Sequence, residues 1–134
     1  MNKDVIEAIK MEKAIDGYKS KLVKEAEDII QNKQISEKDG LKESQFRNLM
    51  NVATQTQSVD VVTNFIKYQI GRSKKSKEWQ FHNFGEELIK IINSLQDKAC
   101  NIYPDNKNET WIKITRLLIG FMIRYFKYKK CDKE

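Results

Sequence analysis

The chain has 134 residues with 40% hydrophobic residues, one proline and five glycines, which excludes a disordered chain and favours one core of long helices over a many-stranded sheet. Its net charge of +6 and pI near 9.2 favour polyanions or an acidic protein surface as partners, without naming one. No run of about 18 uncharged apolar residues is present, and the N-terminus MNKDVIEAIKMEK carries no apolar signal core, so a cytoplasmic protein without membrane contact is expected.

In chain order, Val5, Ile6, Ile9, Ile15, Tyr18, Leu22, Ala26, Ile29 and Ile30 recur at steps of three and four, predicting one long helix over 4–32. Gly17 in its middle costs about 1 kcal/mol relative to alanine and allows a kink there. The polar stretch QISEKDG reads as a connection closed by Asp39–Gly40. Ser44 is a good N-cap for a helix over 44–55 with Phe46, Leu49, Met50 and Ala53 on its apolar face. Arg47 and Asn51 lie on the adjacent polar face.

Ser58 is placed to cap a helix over 58–70. Val59, Val62, Ile66 and Ile70 form one stripe, and Val61, Phe65 and Tyr68 a second, so this helix is expected at the centre of the bundle. Asp60, Asn64 and Lys67 make its narrow polar strip, and Gly71 suits a left-handed stop. A helix over 78–101 carries Phe81, Phe84, Leu88, Ile91, Ile92, Leu95 and Ala99. After the turn NIYPDNKN, the last helix, over 109–129, is the most hydrophobic. Lys113, Arg116, Gly120, Arg124 and Lys127 follow one another along its polar edge. The fold class is therefore all-α, a single domain over 1–134 built as a bundle of about five helices.

The inventory for catalysis is thin, and no enzyme is expected. His82 is the only histidine and sits in the aromatic run WQFHNF, where a core or rim role is the plain reading. Glu86 and Glu87 are adjacent and diverge on a helix, the glycines are scattered singly, and no metal or cofactor set is legible. Cys100 and Cys131 form neither a disulfide framework nor a zinc pattern, and reduced thiols are expected.

Binding has more to stand on. Residues 1–40 hold 8 lysines against 9 acids, whereas residues 41–134 hold 17 cations against 10 acids, so a binding face belongs to the later part. Arg72, Lys74, Lys75 and Lys77 crowd one short loop beside Trp79, a pattern suited to phosphate contact with an aromatic for base stacking. The plain alternative is a solvated loop with Trp79 packed inward. Lys113, Arg116 and Arg124 are equally readable as the outer face of an amphipathic helix, and Arg47 and Lys67 are weak alone.

SQFRNL (Ser44 to Leu49), YQIGR (Tyr68 to Arg72) and FMIRYFKY (Phe121 to Tyr128), in that order, resemble the small subunit of type III-A CRISPR–Cas effector (Csm) complexes. The resemblance covers residues 36–128 and departs from the family pattern at Gln69, where a small residue is usual. It implies a five-helix bundle, several copies of which stack into a filament along the crRNA–target RNA duplex. It further implies other Csm-complex subunits as partners, RNA-backbone contact through Arg47 and Arg72, and no cleavage by this subunit. Two other readings stay open: the equivalent small subunit of type III-B (Cmr) complexes, and a basic helical module that binds acidic proteins without touching nucleic acid.

Overall fold

A computed structural model describes residues 2–131, with the side chain of Cys131 outside the described part. Among these residues there are six α-helices and no strand: α1 (Lys3–Asp16), α2 (Lys19–Asn32), α3 (Glu43–Gln55), α4 (Val59–Arg72), α5 (Phe84–Ile102) and α6 (Lys107–Cys131). Short 3-10 turns at Glu37–Asp39, Glu78–Asn83 and Pro104–Asn106 join them. The all-α expectation holds, with one helix more than the pattern suggested.

The extra helix comes from a break in the expected 4–32 segment. Gly17 and Tyr18 stay right-handed, but the Tyr18 amide donates to the Ile15 carbonyl at 2.8 Å, a tight turn that ends α1. Glycine's weak helix preference puts the break here. Beyond it α2 lies along α6 and buries Leu22, Ala26, Ile29 and Ile30, while α1 touches α6 over a far shorter stretch. Val5, Ile6 and Ile9, expected on the core face, are consequently exposed.

The central helix is α6, packed on α2, α3 and α5, rather than α4. On α4, Val59, Val62 and Ile66 are buried, but the second stripe turns outward, with Val61 and Tyr68 exposed and Phe65 half-buried. The core is one cluster in which Phe46 meets Phe126, Phe84 and Trp79 at ring-centroid distances of 4.9, 5.9 and 5.9 Å. Gly120 lies in the contact between α6 and α3, where an added Cβ would stand 3.2 Å from Met50 Cε. Its role is close helix packing.

Local capping differs from expectation in four places, one being Ser58, which stands at the N-cap of α4 without a side-chain capping bond among the described residues. Ser44 lies inside α3, and it is Gln45 that reaches back, its Oε1 accepting from the Lys42 amide at 3.0 Å. Gly71 remains within α4, and Gly40 is the one described glycine with positive φ, at 93°. The end of α4 is held instead by Gln80, whose Nε2 donates to the Ile70 carbonyl at 2.9 Å and to that of Ser73 at 3.3 Å. The segment expected to open a helix at 78 reverses direction first, with His82 and Asn83 both left-handed at φ 48° and 59°. α5 therefore starts at Phe84, close against α4, since a Cβ on Gly85 would stand 2.5 Å from Ile70 Cγ1.

Candidate nucleic-acid interface

α3 and α4 form a hairpin joined by a three-residue connection, so the start of α3 and the end of α4 come to the same end of the bundle. Glu78 anchors the loop beyond α4. One carboxylate oxygen accepts from Gln45 Nε2 at 3.2 Å and the other from the Lys74 amide at 3.2 Å. The lysine loop is thereby tied to the first turn of α3, at the same end of the bundle as Arg47, which sits about 160° around α3 from Gln45.

This end, the basic pole, holds Arg47, Arg72, Lys74, Lys75 and Lys77, all exposed. Arg72 lies over the Tyr68 ring, 5.6 Å from its centroid. Arg72, Lys74, Lys75 and Lys77 form no ion pair among the described residues, so their charge is free to face a polyanion. Arg47 is different. Its Nε stands 3.4 Å from Glu43, and Glu43 also faces Lys127 of α6 at 3.9 Å. Glu43 was missed in the sequence, although its i,i+4 spacing to Arg47 was the available signal.

The other candidates do not join this cluster. Lys67 is exposed on α4, but five residues before Arg72 it sits about 140° around the helix. Arg116, expected on the solvated edge, is half-buried: Nε donates to the Ala53 carbonyl and Nη2 to that of Thr56, both at 2.8 Å. Carbonyls at a helix end carry partial negative charge and lack intrahelical donors, so a guanidinium fork is the natural cap. Lys113 pairs with Glu12 of α1 at 3.1 Å. Arg124 is exposed, one turn before Lys127, and lies over Phe121 at 5.8 Å. With Lys19 and Lys113 it rims a groove of about 420 Å³ floored by Ile15, Met50 and Leu117.

Trp79 is not a stacking platform. It is 1% exposed, packed on Phe46 and Phe84, and its Nε1 has no hydrogen-bond partner among the described residues. The aromatic accessible at the basic pole is Tyr68, 60% exposed. His82 is exposed, stacked on Phe81 at 3.9 Å, with Nδ1–H donating to the Lys33 carbonyl at 3.0 Å. That bond fixes the reversal before α5. Among the described residues no group of three or more His, Cys, Asp or Glu is placed to hold a metal ion, and no helix is long and apolar enough to cross a membrane.

No protein-family profile matches the chain, and neither does any curated protein or solved structure.

Proposed function

We propose that this chain is a non-catalytic small subunit of a type III-A CRISPR–Cas (Csm) ribonucleoprotein, acting in antiviral defence. In this reading several copies stack along the crRNA–target RNA duplex and touch its backbone. The observation that carries it is the meeting of two of the resemblance's motifs at one pole. SQFRNL and YQIGR lie well apart in the sequence, yet the hairpin and the Gln45–Glu78 bond bring Arg47 and Arg72 to the same end, beside Lys74, Lys75 and Lys77.

Backbone contact fits this pole. Cations without a buried reading pocket attract phosphate and carry no sequence information, and a guide-programmed assembly reads its target by base pairing. With Trp79 in the core, the loop has lysines and little else to offer a base. Lys67, Lys113, Arg116 and Arg124 are not part of the proposed contact: Lys67 is on another face, and Lys113 and Arg116 have partners within the fold. Arg124 stands at its margin.

Co-expression with the remaining subunits of a type III-A complex and a crRNA tests the reading. The chain is expected to copurify in more than one copy per crRNA, and charge reversal at Arg47 and Arg72 to reduce its incorporation. Incorporation into a type III-B complex instead would move it to that system. Failure to enter either, with binding to acidic proteins, would favour the helical interaction module.

A further inference from the structure

Two outward apolar stripes are left over once the core and the basic pole are accounted for. On α1, Val5 and Ile9 are 47% and 44% exposed, and the same face continues into Glu12 and Asp16. On α4, Val61 and Tyr68 are 47% and 60% exposed with Phe65 half-buried between them, and the face continues into Arg72. α1 packs on α6, and α4 on α3 and α5, so neither stripe covers the other within one chain.

The stripes match position by position. Val5, Ile9, Glu12 and Asp16 follow the same steps of four, three and four residues as Val61, Phe65, Tyr68 and Arg72. Each set keeps to one side of its helix over about 16 Å. Both begin apolar and end charged, with opposite sign. Asp16, its side chain 73% exposed and paired with Lys19 of its own chain at 3.3 Å, ends one stripe; exposed Arg72 ends the other. The wider charge follows the same sense: α1 holds four acids against three lysines, whereas residues 59–77 hold five cations against Asp60 alone.

We infer that the α1 stripe of one copy docks on the α4 stripe of a second copy, the helices parallel. Val5 and Ile9 meet Val61 and Phe65, Glu12 meets Tyr68, and Asp16 meets Arg72. The two faces differ, so the contact is heterologous: each docked copy keeps one unused face and the association propagates head to tail. The inference rests on the stacked-copy part of the proposed function and supplies the faces that such a stack would use. The stripe reaches the basic pole at Arg72 alone, so in a docked copy Arg72 is engaged by Asp16 and Arg47, Lys74, Lys75 and Lys77 remain for RNA.

Sedimentation equilibrium of the full chain over rising concentration tests it. The wild-type mass is expected to climb past a dimer. Ile9→Asp and Val61→Asp, both at exposed sites and checked for unchanged helical circular dichroism, are each expected to stay monomeric. An equimolar mixture of the two is expected to stop at a dimer, because one intact α1 stripe then meets one intact α4 stripe. Asp16→Arg is expected to weaken association by about tenfold or more through like-charge contact, and adding Arg72→Asp to restore it. A wild type that stays monomeric into the millimolar range overturns the inference. So does a wild-type dimer that Val61→Asp leaves intact, since that contact would be α1 on α1. RNA binding by the Ile9→Asp monomer separates the readings. Binding without wild-type assembly removes this inference alone, and assembly without any RNA binding removes the RNA reading alone.

Discussion

Glu78 holds Gln45 through one carboxylate oxygen, at 3.2 Å, while its other oxygen holds the Lys74 amide. This one side chain joins the first turn of α3 to the lysine loop, and so holds the loop lysines at the end of the bundle where α3 begins. Glu78→Ala is expected to cost about 1 kcal/mol, the usual net value of a hydrogen bond near the surface. The more specific readout is amide hydrogen exchange, expected to accelerate at residues 74–77 and remain unchanged in α6.

Glu43 faces both Arg47 and Lys127, so it offsets positive charge where a polyanion would approach. Exposed ion pairs contribute roughly 0–1 kcal/mol, and Glu43→Gln is expected to leave stability nearly unchanged. The same substitution releases both cations. Affinity for RNA at low salt is expected to rise by about two- to five-fold, in line with that energy scale. A gel-shift titration beside the wild type reads it.

Arg116 acts within the fold. Removing its guanidinium leaves the Ala53 and Thr56 carbonyls without their donors, and charge-assisted hydrogen bonds contribute about 1.5–3 kcal/mol. Arg116→Ala is expected to lower the urea midpoint accordingly. Arg116→Lys is expected to recover little, because an ammonium cannot reproduce two fixed, forked donors. Neither variant is expected to change RNA affinity when measured well below its melting temperature.

Gly85 tests the packing of α5 on α4. A methyl group there would meet Ile70 Cγ1 at 2.5 Å, Ile70 Cδ1 at 2.7 Å and the Trp79 carbonyl at 3.0 Å. The isoleucine can shift, the backbone carbonyl less easily. Overpacking of this kind costs about 1–3 kcal/mol, so Gly85→Ala is expected to destabilise although alanine is the better helix former. Thermal unfolding followed by circular dichroism reads the sign.

Helical spacing in the sequence located α3, α4 and α6 to within a few residues, because three- and four-residue periodicity reports directly which side of a helix meets the core. The same periodicity hid two breaks. Val5, Ile6 and Ile9 continue the spacing of Ile15 and Leu22, and only the tight turn at Gly17–Tyr18 sends them away from α6. Phe81 likewise keeps step with Phe84 and Leu88, although His82 and Asn83 reverse the chain between them. Asparagine's tolerance of the left-handed region was the one cue. Of the candidate cations, those adjacent along the chain, Arg72 to Lys77, are all exposed at the end of α4. Arg116 did not, since its partners lie more than fifty residues away and no local pattern announces two unpaired carbonyls.

Contact between the basic pole and RNA backbone is tested most directly by one titration. Two unrelated single-stranded RNAs are bound to the wild type and to the Arg47→Ala/Arg72→Ala variant across a salt series. Equal affinity for both RNAs is predicted, with log K falling linearly against log salt at about 0.7 per phosphate neutralised. The double variant is predicted to lose affinity and show a shallower slope. A marked preference for one sequence, or a double variant with unchanged affinity and slope, would contradict backbone contact at this pole.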